Sequence, residues 1–312
     1  MHGRAKLTPP DTYTAPVTDW ATPACVAQLR SLIDHRLDAL STGHPNCPAS
    51  LNNAIRHALL APGKRFRPLL TVLTAAEFGV QPRTALDAAC AVELVHTASL
   101  VLDDLPCMDD AATRRGIASA HTAFGEATAM LAAIAMLTRA FGIISQMDGL
   151  PSAARIDLTA LLSNASGANG LAAGQERDLH DRSPADPLDK INTINDQKTG
   201  VLFAAALQMG GRIANVNDAR MGALAAAGRE IGLAFQALDD VIDQTSSIAE
   251  AGKDTGKDAG KATVATVLGL DAARAQVAHH IQLAHFVLEP HAPASGPLRT
   301  FITAIFGQSS GA

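Results

Sequence analysis

The chain has 312 residues, of which 47% are hydrophobic, 18% are charged and only 4% are aromatic. This length and hydrophobic content can fill a sizeable core, and the scarcity of aromatic residues and β-branched runs favours helices packed on helices. The formal net charge of -5 excludes the broad basic surface that nucleic acid requires. We therefore expect an all-α protein that binds anions only in a local basic pocket.

The N-terminal segment and the cysteines indicate the domain bounds and the cellular location of the protein. Residues 1–20 contain Pro and Thr but no apolar core, so we expect a disordered lead-in rather than a signal peptide, followed by a single domain over 21–312. The four cysteines show no CxxC pair and no zinc-site spacing, which indicates free thiols in the cytoplasm. The apolar stretch 127–138 is shorter than the roughly 20 residues of a membrane span, so we expect no span.

Apolar periodicity predicts about ten helices, and no strand pattern competes with them. The first two are predicted at 25–40 and 50–60, and the break at 61–68, APGKRFRP, places cations before the next helix at 68–78. Residues 83–104 are apolar almost all round, which is typical of a central helix. Further helices are predicted at 119–145, 152–180 with a Gly-rich interruption near 167–174, 188–210, 217–245, 262–288 and 296–306.

Four aspartates lie at the end of the predicted central helix or just after it, in the sequence LVLDDLPCMDD. Asp103 sits at the C-terminal end of that helix, where the helix dipole disfavours a carboxylate unless a cation is near. Pro106 must end or kink the helix. Helical geometry therefore leaves open whether Asp109 or Asp110 points back toward Asp103.

A second acidic cluster, FQALDDVIDQ at 235–244, also ends an apolar helix. Asp239 and Asp243 are four residues apart and share one helix face. One such cluster is usually a solvated surface, but two at the ends of apolar helices indicate Mg²⁺, which takes carboxylate oxygens and bridges them to phosphates. The aspartates therefore predict a phosphorylated substrate.

Cations occur at loop breaks or near the ends of apolar helices, where they can hold a diphosphate. They are Lys64, Arg67, Arg114, Arg115 and Lys198. His96 lies two turns before Asp103 on the same face and is either a hydrogen-bonded core residue or a ligand contact. The glycines near 167–174 predict a helix that a neighbour approaches closely. The Gly-Lys repeats at 252–261 lack the spacing of a Walker A sequence and form either a solvated loop or a lid over diphosphate.

Six motifs in order resemble those of the trans-isoprenyl diphosphate synthases, and most closely the bacterial geranylgeranyl diphosphate synthases of carotenoid pathways. They are GKRFRP, DDLPCMD, RRG, GQERDL, KTG and FQALDDVID. The likeness spans about residues 25–270. It implies the isoprenoid synthase fold, a helical bundle around a central apolar cavity, and usually a homodimer.

The resemblance also implies a role for each matched residue. Three Mg²⁺ ions are expected on Asp103, Asp109, Asp239 and Asp243, which favours Asp109 over Asp110. Isopentenyl diphosphate is expected on Lys64, Arg67, His96 and Arg115. The allylic diphosphate is expected on Arg114, Lys198, Thr199 and Gln236. The four aspartates and Lys198 are the expected catalytic groups, and Lys257 and Lys261 are also expected to bind diphosphate.

Product length is expected to depend on Ala98 and Ser99. Relatives that stop at fifteen carbons commonly carry a bulky aromatic residue where this chain has Ala98, so the small pair and the longer first motif imply geranylgeranyl diphosphate. The alternative is that Ala98 is only a small core residue between helices. The rival functions are a farnesyl diphosphate synthase, a class I terpene cyclase and a non-catalytic regulatory subunit. GKRFRP argues against the cyclase, and the intact acidic motifs argue against the regulatory subunit.

Overall fold

A computed structural model describes residues 22–42, 46–183, 185–245 and 262–307. Those residues form fourteen α-helices, one π-helical segment and one two-stranded hairpin, which confirms the all-α prediction. The helices are α1 (Pro23–Ser41), α2 (Ala49–Leu59), α3 (Phe66–Glu77), α4 (Pro82–Asp103), α5 (Ala120–Phe124), α6 (Glu126–Ser145), α7 (Ser152–Ser166), α8 (Leu171–His180), α9 (Leu188–Asn195), α10 (Val201–Ile213), α11 (Asp218–Thr245), α12 (Val264–Leu268), α13 (Leu270–Leu288) and α14 (Pro297–Gly307).

Two predicted features lie outside the described residues. They are the lead-in at 1–20 and the Gly-Lys segment at 252–261 with Lys257 and Lys261. The single domain over 21–312 stays a prediction.

The helices outnumber the ten predicted because four of the predicted helices are divided, three of them at glycines and the one at 188–210 by the π-helical segment Asp196–Gly200. The one at 119–145 breaks at Gly125, where φ is +84°, and the one at 262–288 breaks at Gly269, where φ is +82°. Residues with a Cβ rarely adopt such angles, so the chain turns there and starts a new helix. The predicted helix at 152–180 breaks between α7 and α8, in the glycine-rich stretch where the interruption is expected.

Helix α4 is central, as its apolar sequence predicts. It packs against α3, α6 and α10, and most of its side chains are buried. By length and composition, α4 and α6 could each cross a membrane, and 72% of the apolar window of α4 but only 39% of that of α6 is buried inside the protein. The apolar surface of α4 is therefore covered by neighbouring helices, whereas α6 keeps an exposed apolar face.

The prediction that no strand competes needs a small correction after α4. Strands β1 (Thr113–Arg114) and β2 (Ile117–Ala118) pair antiparallel, with Arg114 opposite Ile117. The two residues between them, Arg115 and Gly116, both have positive φ, at 54° and 78°. This is the geometry of a tight hairpin turn, and the glycine of RRG permits it at the second position. The hairpin is too short to show a strand period in the sequence, but it carries both arginines.

A glycine also sets the position of the KTG motif. A Cβ on Gly174 of α8 would lie 2.2 Å from the backbone nitrogen of Lys198, so only glycine allows this approach. The predicted close packing is thus confirmed. Residues Asp196–Gly200 form a π-helical segment there, between α9 and α10. Such local widening is frequent at functional sites, and here it carries Lys198 and Thr199.

Candidate active site

A cavity of about 1100 Å³ lies among α3, α4, α8, the π-helical segment and α11. Of the site residues predicted from the sequence, Lys257 and Lys261 lie outside the described residues. All the others line this cavity except Ala98. The lining residues are Lys64, Arg67, His96, Ser99, Asp103, Asp109, Arg114, Arg115, Lys198, Thr199, Gln236, Asp239 and Asp243. Residues far apart in the sequence therefore meet around one space.

The first acidic motif reaches the cavity because α4 ends at Asp103, as Pro106 requires. The chain then folds back, and the backbone N–H of Asp109 donates to the carbonyl oxygen of Asp103 at 2.9 Å. Asp109 lines the cavity, whereas the side chain of Asp110 is 72% exposed and lies outside it. Asp109 rather than Asp110 therefore lies at the cavity with Asp103, and its role as a metal ligand stays a prediction.

The second aspartate of each DD pair has a different environment from the first. Asp104 is buried and accepts hydrogen bonds from Arg114, with the shortest distance at 2.5 Å. Asp240 is also buried, and its carboxylate accepts from Gln236 at 3.0 Å and from the backbone N–H of Val264 at 2.9 Å. These two carboxylates tie structural elements together, while Asp103 and Asp239 open to the cavity.

Lys198 joins the first acidic motif to α8. Its ammonium lies 2.8 Å from a carboxylate oxygen of Asp178 and 3.7 Å from one of Asp103. Burial by itself favours the neutral amine, but the carboxylates of Asp103 and Asp178 outweigh it and raise the pKa of Lys198. Gln175 donates to the same oxygen of Asp103 at 2.5 Å. The amine of Lys198 is therefore charged beside the carboxylates of Asp103 and Asp178.

The side of the cavity formed around α3 is positively charged. The Nη1 atom of Arg67 lies 3.2 Å from Nε2 of His96, and its guanidinium carbon lies 4.3 Å from the centre of the Phe203 ring. Burial, opposed by Glu93, lowers the pKa of Arg67 to about 10, so the group stays charged at neutral pH. Burial and the charges of Arg67 and Arg115 lower the pKa of His96 well below its ordinary value. A neutral His96 can accept from Arg67.

Glu93 holds two arginines of this basic side in place. It is 1% exposed, and its carboxylate lies 2.7 Å from Arg65 and 3.7 Å from Arg115. Arg65 also binds Asp34 of α1 at 2.8 Å and donates to two backbone carbonyls. Arg65 has a φ of 52°, an unusual value for a residue with a Cβ. These contacts fix the GKRFRP segment, and they hold Arg115 close to it.

The four cavity aspartates suit Mg²⁺ by donor chemistry. They supply only carboxylate oxygens, the ligands that this hard ion prefers. Within the part of the chain that the structure describes, no three His, Cys, Asp or Glu side chains are grouped closely enough to form a metal site by themselves. Mg²⁺ keeps several waters and is typically bound by one or two carboxylates together with substrate phosphates. The residues present therefore fit a Mg²⁺ ion whose coordination is completed by the phosphates of the substrate and by water.

The two residues expected to govern product length differ in position. Ser99 lines the cavity, and its hydroxyl donates to the carbonyl oxygen of His96 at 2.8 Å. Ala98 is fully buried and is not part of the cavity wall. Its influence on the product stays a prediction, and Ser99 has the more direct position.

Comparison with known proteins decides the family. A family profile described as Polyprenyl synthetase matches residues 48–289. The chain belongs to the polyprenyl synthetase family. The family is one of prenyltransferases, so this prenyl synthetase is an enzyme, and the predicted recognition and activity class are confirmed.

Individual relatives of this prenyl synthetase carry two product names. It is 41% identical to a geranylgeranyl diphosphate synthase of Pantoea ananas, over 89% of this chain and 92% of the relative. It is 37% identical to a farnesyl diphosphate synthase of Geobacillus stearothermophilus, over 76% and 81%. A geranyltransferase structure from Helicobacter pylori, complexed with magnesium and isoprenyl diphosphate, has a TM-score of 0.80 at 30% identity and covers 93% of this chain and 98% of that one. The isoprenoid synthase fold is thereby confirmed.

Sequence reasoning gave no role to several residues that shape the site of this prenyl synthetase. Arg65 and Glu93 hold the basic side together, and Gln175 and Asp178 contact Asp103 and Lys198. The motif GQERDL contained the last pair, but its spacing gives no partner. Glu93 had a usable signal, because it is the only carboxylate between residues 88 and 102 in an apolar helix.

Proposed function

We propose that the chain is a Mg²⁺-dependent synthase that joins isopentenyl diphosphate to an allylic diphosphate, with geranylgeranyl diphosphate formed from farnesyl diphosphate as the main product. The observation that carries the proposal is one cavity lined by two pairs of aspartates and by a separate group of cations. Two diphosphates can be held there at once. A class I terpene cyclase ionises a single diphosphate and has no need of the second group.

The acidic side is the proposed seat of the allylic diphosphate. Mg²⁺ held by Asp103, Asp109, Asp239 and Asp243 would act as a Lewis acid that stabilises negative charge on the departing diphosphate. Lys198 adds a charged donor beside Asp103, and Thr199 donates to Gln236 at 3.2 Å. These groups would orient the leaving diphosphate while the C–O bond breaks. The number of ions stays a prediction.

The basic side is the proposed seat of isopentenyl diphosphate, whose diphosphate does not leave. Lys64, Arg67 and Arg115 supply positive charge there, and His96 is a neutral hydrogen-bonding group. The double bond of this substrate forms the new C–C bond with the allylic cation. The departing diphosphate would then accept the proton that is lost, so no side chain is assigned as the base. The apolar part of the wall would keep water from capturing the cation.

A twenty-carbon product is supported by the small side chain of Ser99 in the cavity wall. A farnesyl diphosphate synthase is the second candidate, because relatives with that name also match most of the chain. The four thiols are all free, which agrees with the proposed cytoplasmic location.

Incubating the purified chain with farnesyl diphosphate and isopentenyl diphosphate tests the proposal. With Mg²⁺ we expect both substrates to be consumed and geranylgeranyl diphosphate to appear by mass spectrometry, and we expect excess chelator to stop the reaction. Release of a cyclic hydrocarbon without consumption of isopentenyl diphosphate would indicate a cyclase. No turnover by the folded chain would support a non-catalytic subunit.

We further propose that two copies of the chain associate through α6. Met130, Leu131 and Ile134 lie on one face of α6 and are 41%, 55% and 55% exposed. A contiguous apolar face of this kind typically marks an interface. The proposal follows the homodimer that the resemblance implies.

Replacing Leu131 and Ile134 together by Glu should convert the dimer to a monomer, because burying two carboxylates against apolar surface is costly. Light scattering after gel filtration measures the mass of each form. A wild-type chain that is monomeric at micromolar concentration would contradict the proposal. Monomers that sediment with lipid vesicles would instead assign the α6 face to a membrane surface.

A further inference from the structure

Arg30 of α1 lines the cavity, although no motif contains it. It lies one turn before Asp34, whose carboxylate accepts from Arg65 at 2.8 Å. Residues four apart share a helix face, so the face of α1 that carries Arg30 is turned toward the GKRFRP segment. The carboxylate that could pair with Arg30 within its own helix is therefore occupied by another arginine.

Most other cations around the cavity have a carboxylate partner within 4.0 Å. Those that have one are Arg65, Arg114, Arg115, Arg182 and Lys198. Within the described ranges, Arg30 and Lys64 have no ion pair, and Arg67 contacts only His96 and aromatic rings. The three cations without an ion pair come from α1, from the residues just before α3 and from its first turn, and α1 packs against α3.

The Nε–H of Arg30 is buried from water and has no hydrogen-bond acceptor, and the same is true of Arg67. A buried donor without an acceptor costs free energy. Arg30 has no hydrogen bond or ion pair within the described residues, so the remaining N–H groups of its guanidinium, and not the covered Nε–H, are the ones that can meet a ligand in the cavity it lines. Guanidinium groups match diphosphate oxygens with paired N–H donors, so the ligand chemistry is that of a diphosphate.

We infer that Arg30 binds the diphosphate of isopentenyl diphosphate, together with Lys64 and Arg67. The inference rests on the proposed function, and it adds α1 to the substrate site. The allylic diphosphate would lie with the aspartates, where metal ions supply positive charge. None of the four cavity aspartates belongs to the seat proposed for isopentenyl diphosphate, so side-chain cations would neutralise it. Arg30 is thus expected to contribute to the affinity for this one substrate.

Steady-state kinetics of Arg30→Met and Arg30→Lys test the assignment. Met keeps an apolar stem and removes the charge. We expect Arg30→Met to raise KM for isopentenyl diphosphate about tenfold or more, the size of a lost charge-assisted hydrogen bond. The kcat and the KM for farnesyl diphosphate should stay within about twofold. Arg30→Lys, which restores a charge without the paired donors, should recover part of the affinity.

Arg36→Met is the matched control. Arg36 is on the same helix, pairs with Asp87 at 2.6 Å and does not line the cavity. It should leave both KM values unchanged. Wild-type turnover with an unaltered isopentenyl KM in Arg30→Met would refute the assignment alone, as would an equal rise in both KM values. A wild-type chain that consumes no isopentenyl diphosphate would refute the proposed function and the assignment with it.

Discussion

Asp103→Asn and Asp239→Asn should each lower turnover by about 10³-fold or more while the chain stays folded. Each change removes a cavity carboxylate that would hold Mg²⁺, and loss of metal-assisted charge stabilisation is worth several kcal/mol in the transition state. Neither side chain anchors the fold as Asp104 and Asp240 do. We expect the free energy of unfolding to change by less than about 1 kcal/mol, because relief of the repulsion among neighbouring carboxylates offsets the weaker hydrogen bonding of the amide.

The neighbouring aspartates provide the controls. Asp104→Asn should lower the free energy of unfolding by about 3 kcal/mol, because it breaks the ion pair with Arg114 in a buried setting. Asp240→Asn should cost about 1 to 3 kcal/mol, since Val264 and Gln236 both donate to that carboxylate. Urea unfolding measures the free energy of unfolding. Turnover of the folded protein, measured against Mg²⁺ concentration, gives the metal dependence.

The division within each DD pair is what these four variants decide. Turnover of Asp104→Asn and Asp103→Asn is compared at equal folded fraction. If both variants need the same Mg²⁺ concentration for half-maximal turnover, and it is higher than that of the wild type, Asp104 also belongs to the metal site. If Asp103→Asn keeps wild-type turnover, the metal assignment of the first motif is wrong.

The sequence pattern locates both acidic motifs, but the roles of their individual aspartates come from the resemblance and not from helical geometry. Asp104 and Asp240 differ from Asp103 and Asp239 by one position, and each partner is supplied by another element. The hairpin brings Arg114 to Asp104, and the start of α12 brings Val264 to Asp240. Composition and helical period describe one element at a time, so they cannot tell which of two adjacent carboxylates meets a donor from another.

The basic side was predicted less completely for a related reason. Lys64 and Arg67 are predicted because they lie at a break in the helical pattern. Arg65 lies between them but turns away to Asp34 and Glu93, which come from α1 and α4. Such pairing across three elements is a tertiary property. The same limit applies to Arg30, which sits in an ordinary amphipathic helix and is singled out only by the cavity it meets.

The sequence pattern underestimates the number of helices at Gly125 and Gly269, where the role of glycine is ambiguous. A glycine within a helical pattern is tolerated at a cost of about 1 kcal/mol, so the pattern alone does not show whether the helix continues. At Gly125 and Gly269 the chain uses a positive φ to end one helix and begin another. At Gly174 the helix continues, and the missing Cβ admits the backbone of Lys198. The same residue type therefore serves two purposes that only packing distinguishes.

Ser99→Phe should shorten the product from twenty carbons to fifteen. Ser99 is in the cavity wall with apolar residues such as Leu102, Leu137 and Leu171, and a phenyl ring there would fill space that a growing chain needs. Turnover of farnesyl diphosphate should fall at least about 100-fold, because a rigid wall rejects a longer chain. Turnover of geranyl diphosphate, which is one isoprene unit shorter, should stay within a few-fold of wild type. Mass spectrometry of the products reads both.

Ala98→Phe makes the comparison informative. The resemblance assigns product length to Ala98, yet this residue is fully buried behind the wall. A phenyl ring there must displace core side chains, which typically costs about 1 to 3 kcal/mol. The resemblance predicts that this variant also shortens the product. If Ala98→Phe changes the product and Ser99→Phe does not, the wall moves when substrate binds. If neither variant shortens the product, another part of the cavity limits the chain, and Leu137 of α6 is the next position to enlarge or reduce.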